Sequence, residues 1–308
     1  MINILFNSDY TDGLFYYSYE HFRFLNDNGI ETRLVIFLRF YQNKTDCLKL
    51  LKSKYINVTE KNLIFIDSKN FLNPDIKVIF DNKFNLIMGE SHLFHAKNMI
   101  SSKHYSNIFK MILKVIYKKP LIVIHNERNI EAANTAMKFF APSKVIFLND
   151  HLVFPHFTKG IEYSKRIYFD IYIKPVMDIK YKFIFNASND LYYETALKII
   201  EKSDEYQLEN LGLIVDSYKD DKYKTSQLLI PIPNLLGIFE TFIYSTPIFD
   251  NAPRFLQECV YFNKKICYNR DITINDGGKQ YYQMGQNGCD FNLSSYPIIL
   301  DILKDCNA

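Results

Sequence analysis

The 308-residue chain has no tryptophan and only five cysteines, Cys47, Cys259, Cys267, Cys289 and Cys306. Their count is odd and no CxxC pair occurs, so a reduced, cytoplasmic protein is expected rather than a disulfide framework. Tryptophan is missing beside 23 tyrosines and 26 phenylalanines. Together with the Asn, Ile and Lys usage, this reflects the codons of an AT-rich genome and says nothing of function. There is no apolar run of roughly 18 residues or more, so no spanning helix is expected. The opening "MINILFNSDYTDG" has no basic run ahead of a long apolar one, so no secretory leader is expected either. A net charge of +3 is too small for a global field that draws nucleic acid. Walker A, GxGxxG and GxSxG motifs are all absent. That argues against an ATPase, a nicotinamide enzyme of the usual pattern and a serine hydrolase. No internal repeat or low-complexity segment interrupts the chain.

What is present is ordinary for a soluble globular protein: 48% hydrophobic and 23% charged residues. The length suits one or two domains. Short apolar runs alternate with helical segments. "MINILF" reads as a buried strand, 14–28 as a helix with Gly29 as its C-cap, and "TRLVIFL" (32–38) as the next strand. Further strands are expected at 62–67, 77–80, 85–89, 120–126 and 144–149, with a helix at 129–140. The pattern lapses over 150–181 and restarts at "KFIFNAS" (182–188). A helix (190–202) follows, then strands at 211–216, 227–231, 241–245 and 265–269, a helix from 252 and a last helix at 296–304. The alternation predicts an α/β fold of two halves, each a mostly parallel, doubly wound sheet, joined near 155–180.

The stretch "TPIFDNAPRFLQECVYFNKKICYNRD" (246–271) stands out. At about 100° per residue, Arg254, Glu258 and Tyr261 share one stripe of a helix. Phe255, Leu256, Cys259, Val260 and Phe262 fill an arc nearly opposite. Asp250 or Asn251 can cap this helix and Pro253 suits its first turn. Two accounts stay open here. Arg254 and Glu258 form an exposed i,i+4 ion pair of small energetic weight. Alternatively, Arg254 and the helix N-terminus hold a phosphate while Glu258 accepts from ribose hydroxyls.

The same stretch, with "TFIYS" before it, resembles the C-terminal donor site of GT-B glycosyltransferases that build bacterial surface glycans. Their "PR…EC.YFGK…Y.RD" pattern is matched by Pro253, Arg254, Glu258, Tyr261, Lys264, Lys265, Tyr268, Arg270 and Asp271, and "NDGGKQYY" (275–282) is similar to its continuation. The resemblance implies two facing Rossmann-like domains, an acceptor domain over 1–165 and a nucleotide-sugar donor domain over 180–295. It also implies a C-terminal helix (296–308) packing back on the first. Glu258 would bind the donor ribose, no metal or other cofactor would be needed, and the diphosphate would be met by Arg254, Lys264 or Lys265, Arg270 and helix N-termini. Ile266 replaces the second acidic residue of an E-x7-E pattern, so a retaining or inverting outcome stays open.

Other candidates follow strands, where α/β sheets place their sites. Asp12 and Gly13 resemble an acceptor loop or form a plain helix cap. Glu90 and His92, with His95 nearby, and His125 with Glu127, are candidate bases for an acceptor hydroxyl; caps and core roles are the alternatives. His92 and His95 lack a third partner for a metal. Asn186 and Ser188 face a diphosphate in the resembled fold or cap a helix. Lys110, Lys114 and Lys118 line one face of 106–118, an ordinary surface helix or a peripheral contact with an anionic membrane.

The expected activity is sugar transfer from a nucleotide-sugar to a hydroxyl of a glycan or lipid-linked acceptor, in the cytoplasm or at the inner membrane face. Two alternatives stay open: a phage-type DNA-base glycosyltransferase, and a GT-B-shaped binding protein without chemistry.

Overall fold

The computed structural model describes residues 1–6, 13–38, 43–54, 58–67, 84–88, 121–124, 144–148, 161–163, 168–172, 174–186, 194, 211–215, 225–227, 232–244, 254–268 and 295–307. The chain divides into two units. The first takes Met1–Lys52, Asn57–Ile171 and Asp290–Ala308; the second takes Ser53–Ile56 and Tyr172–Cys289.

The first unit is built on a seven-stranded sheet of β1 (Ile2–Phe6), β2 (Thr32–Leu38), β3 (Leu63–Asp67), β4 (Phe84–Met88), β5 (Leu121–Ile124), β6 (Lys144–Leu148) and β7 (Ile161–Tyr163). The order is β3-β2-β1-β4-β5-β6-β7, with every described pairing parallel. β1 runs between two neighbours, with Ile4 opposite both Leu34 and Leu86. All five of its residues are buried, which is why the segment reads as unbroken apolar sequence with a single polar residue. That residue, Asn3, lies opposite Asn85, and its amide nitrogen donates to the Asn85 side-chain oxygen at 3.1 Å inside the sheet.

Helix α1 (Gly13–Asp27) connects β1 to β2. It ends where Gly29 takes a left-handed φ of 78°. The Gly29 and Ile30 amides donate back to the Asn26 and Leu25 carbonyls, closing the last turn as a Schellman cap. α1 is buried almost all round because the C-terminal helix α5 (Ser295–Asn307) covers what the sheet does not. Tyr296 of α5 is the hub. Its hydroxyl donates to Glu20 at 3.0 Å, and its ring stacks on His21 at 4.1 Å and touches Tyr17, Phe24 and Tyr168. Helix α2 (Lys44–Lys54), which periodicity does not foresee, starts on Asn43, whose side chain accepts from the Asp46 amide at 2.8 Å.

The second unit carries a parallel sheet of β8 (Tyr181–Asn186), β9 (Leu211–Val215), β10 (Thr225–Gln227), β11 (Phe239–Tyr244) and β12 (Lys265–Tyr268), ordered β10-β9-β8-β11-β12. Short α3 (Ile232–Gly237) precedes β11, and α4 (Arg254–Tyr261) joins β11 to β12. Leu235, Leu236, Phe239, Phe242, Leu256 and Cys259 form one core between α3, α4 and the sheet. Both sheets contain the 3-2-1-4-5 order of a Rossmann-like unit, so the expected α/β class of two such units holds.

Further details differ from expectation. β10 begins at Thr225, two residues before the apolar run that suggested it; as an edge strand it tolerates the polar "TSQ". β7 and a 3-10 turn at Phe169–Ile171 lie within the stretch where periodicity lapses. The segment leaving that turn is held on the second unit. The Asp178 amide donates to Gly237 O at 2.9 Å, the Lys180 amide to Ile238 O at 2.7 Å, and Val176 O lies where a side chain on Gly237 would go. The strand expected at 77–80, the helices at 106–118, 129–140 and 190–202, and the segment 275–282 lie outside the described residues, apart from Glu194 in a helical turn.

Candidate functional site

In an open parallel sheet a ligand is bound beyond the carboxyl ends of the strands, where the strand order reverses. In the first unit the reversal falls between β1 and β4, which end at Phe6 and Met88. In the second it falls between β8 and β11, which end at Asn186 and Tyr244. The candidates read from sequence follow these strands. Asp12 and Gly13 come after β1, Glu90 and His92 after β4, His125 and Glu127 after neighbouring β5. Asn186 ends β8 with Ser188 beyond it, Asp250 and Asn251 come after β11, and Arg270 after β12. Gly13 opens α1, and Asn186 is placed by its backbone. Asp12, Glu90, His92, His95, His125, Glu127, Ser188, Asp250, Asn251 and Arg270 lie outside the described residues.

Arg254 and Glu258 are described in full. The helix they occupy buries Leu256 and Cys259 against β11, with Phe255 edge-on to Phe242 at 4.9 Å. The apolar arc thus meets the sheet, but the opposite stripe is not a free surface. The Glu258 carboxylate is 0% exposed and the Arg254 side chain 18%. Arg254 Nε lies 3.1 Å from Glu258 Oε1. Tyr172 closes the group: its hydroxyl donates to Glu258 Oε1 at 3.1 Å and accepts from an Arg254 terminal nitrogen. The guanidinium carbon lies 5.9 Å from the Tyr172 ring centroid, and Phe262 flanks the ring at 6.5 Å. The exposed ion pair is therefore corrected to a buried one. The cause is Tyr172, whose side chain lies against the stripe that α4 turns away from the sheet. Tyr261, on the same stripe one turn further, stays half exposed.

Lys264 and Lys265, candidates for the diphosphate, are also corrected. β12 starts at Lys265, which lies opposite Thr241 near the start of β11, so both lysines sit at the amino edge of the sheet, away from the strand ends. Lys264 Nζ donates to Phe239 O at 2.7 Å and lies 5.0 Å from the Phe239 ring centroid; burial lowers its pKa below the usual lysine value. Lys265 pairs on the surface with Glu240 at 2.9 Å, which lowers the Glu240 carboxyl pKa. Between α4 and Lys264 the chain turns through Asn263 at φ 56°, and the Lys264 amide donates to Cys259 O at 2.8 Å. The glycosyltransferase pattern has glycine at this position; asparagine tolerates the same left-handed conformation.

Tyr172 is the residue that sequence reasoning missed. It lies 86 positions from Glu258 in a segment with no period, and no local signal pairs the two. Among the described residues, no group of three or more His, Cys, Asp and Glu side chains gathers to hold a metal ion. No described helix is long and apolar enough to cross a membrane.

No family model and no curated protein matches the chain. Solved structures do. A protein from Listeria monocytogenes assigned as a UDP-N-acetylglucosamine 2-epimerase is 10% identical, with 91% of this chain and 81% of that one covered and a TM-score of 0.46. The glycosyltransferase VinC in complex with dTDP is 7% identical, with 98% of each chain covered and a TM-score of 0.43. MurG of Acinetobacter baumannii is 12% identical, with 99% of each chain covered and a TM-score of 0.41. The alignments with these proteins span most of this chain.

Proposed function

We propose that the protein is a GT-B glycosyltransferase that moves a sugar from a nucleotide-sugar to a hydroxyl of a glycan or lipid-linked acceptor. The carrying observation is positional: the 246–271 stretch with the donor-site pattern leaves β11, one of the two strands flanking the reversal in the second sheet. That is where a nucleotide belongs in such a sheet. In this reading Glu258 accepts from the ribose. Arg254, Arg270, Asn186, Ser188, Asp250 and Asn251 serve the phosphates and the helix start. A base among Glu90, His92, His125 and Glu127 takes the acceptor proton as the hydroxyl oxygen bonds to the anomeric carbon and the nucleoside diphosphate leaves. Asp12 and Gly13 border the acceptor. Lys264 and Lys265 are left out, since both already serve the opposite edge of the sheet.

A thermal-shift screen of UDP-, GDP-, ADP- and dTDP-sugars tests this. One donor at 100-fold over its Kd should stabilise the protein by about 2.7 kcal/mol. The same donor should then be hydrolysed slowly without acceptor. No stabilisation by any nucleotide-sugar overturns the reading. Stabilisation without hydrolysis or transfer reduces it to a binding protein.

A further inference from the structure

The partners of Glu258 reveal more about the proposed nucleotide site than its location. The carboxylate is fully buried, yet the groups over it are a phenol and a guanidinium. The Tyr172 hydroxyl donates to the carboxylate and accepts from the guanidinium. A ribose hydroxyl placed there would do both things as well: its O–H donates to Glu258 and its oxygen accepts from Arg254. Exchanging one for the other leaves no buried charge unpaired, so the exchange avoids the large cost of stripping a buried carboxylate of its donor. Tyr172 packs on the edge of the core of the second unit. It is half-buried, over a carboxylate that is 0% exposed, and it belongs to neither helix nor strand. Moving it breaks no element of the sheet. The segment that follows is anchored further on, at Asp178 and Lys180 on the turn before β11, so the chain beyond Tyr172 stays attached.

We infer that Tyr172 is a gate residue: its hydroxyl occupies the place of a ribose hydroxyl on Glu258 and Arg254, and it swings out when a ribonucleotide enters. The inference rests on the nucleotide-sugar reading above. It adds a self-inhibiting contact, and with it a reason for selectivity. Only a ligand that brings a hydroxyl of its own can replace the phenol without loss. A dideoxynucleotide would have to leave Glu258 and Arg254 short of a bond.

The experiment is calorimetric titration of UDP, GDP, ADP and CDP, each with its 2′,3′-dideoxy counterpart, into the full chain. The wild type is compared with Tyr172→Phe, which keeps the ring and removes the hydroxyl. Tyr172→Leu, which also removes the ring over Arg254, is the second variant. Removing the competitor should tighten the ribonucleotide by about tenfold, the weight of one displaced hydrogen bond. The dideoxy compound should stay weaker than the ribonucleotide in all three proteins, tightening alongside it in the variants. If the wild type binds a ribonucleotide and both variants bind it equally or more weakly, Tyr172 is a brace and the gate is overturned while the nucleotide site stands. If the wild type binds the dideoxy compound as tightly as the ribonucleotide, the hydroxyl exchange is overturned. If no nucleotide binds to any of the three, the nucleotide-sugar reading fails and takes the gate with it.

Discussion

Glu258 has lost all of its solvent and is met instead by Arg254 and Tyr172. Removing one member of a buried ion pair leaves the other uncompensated, at about 3–5 kcal/mol in a fully buried case. Arg254 keeps some exposure, so Glu258→Ala should cost about 2–3 kcal/mol in urea unfolding, with Glu258→Gln costing less. An unchanged midpoint for both would mean that the pair contributes nothing to the fold. Sequence alone suggests little stability loss here, because a helical wheel shows the stripe but not what covers it. His21 makes a second residue-scale case. It is fully buried, its Nδ1 lies 2.8 Å from Tyr17 O, and burial pushes its pKa down to about 3. The folded chain therefore holds His21 neutral while the unfolded chain protonates it below about 6.5. Its contribution is intact above pH 6.5 and is lost progressively as the pH falls toward 3. Between pH 6.5 and 4.5 this amounts to about 2–3 kcal/mol. His21→Phe, which keeps a ring against Tyr296, should flatten that part of the stability profile; an identical slope would refute the assignment. Cys47 and Cys259 are buried as well, their thiol pKa values raised by desolvation, to about 12 for Cys47, so they are structural rather than reactive.

At the scale of elements, the turn from α3 into β11 rests on a glycine. A Cβ on Gly237 would come within 2.0 Å of Val176 O, which is backbone and cannot rotate away. Gly237→Ala should therefore push the 175–178 segment off the sheet and break the Asp178 bond, at about 1–3 kcal/mol. Urea unfolding checks this, and a neutral substitution would show that the close approach is dispensable. Elements with strong local signals are legible in the amino-acid sequence. β2 matches its apolar run residue for residue, and Gly29 marks the end of α1 by a left-handed conformation that glycine adopts most readily. β7, with three residues, and α3, with six, are too short to show a period. α4 is legible as an amphipathic helix, yet the meaning of its polar stripe is not, because burial there is imposed by a chain segment distant in sequence.

For the whole molecule, the alternation of apolar runs carries the α/β class, since parallel strands buried on both faces must be nearly continuous in apolar residues. The strand orders and their reversals are not legible, because pairing between strands such as β1 and β4, some 80 residues apart, has no local sequence signature. The order of synthesis makes this arrangement consequential. The first unit needs residues from both ends of the chain, and everything from Tyr172 to Cys289 leaves the ribosome before Tyr296 can reach His21 and Glu20. Until then α1 presents an aromatic face, with Tyr17, His21 and Phe24 on it, that nothing from α5 yet covers. A nascent chain in that state is a natural client for a holdase chaperone, and a chain stopped after residue 289 would never leave it. Such a truncation should bind a hydrophobic dye at neutral pH and aggregate, while adding the 290–308 peptide in trans should suppress both. A truncated chain that is monomeric and dye-silent would mean that the first unit matures without its last helix.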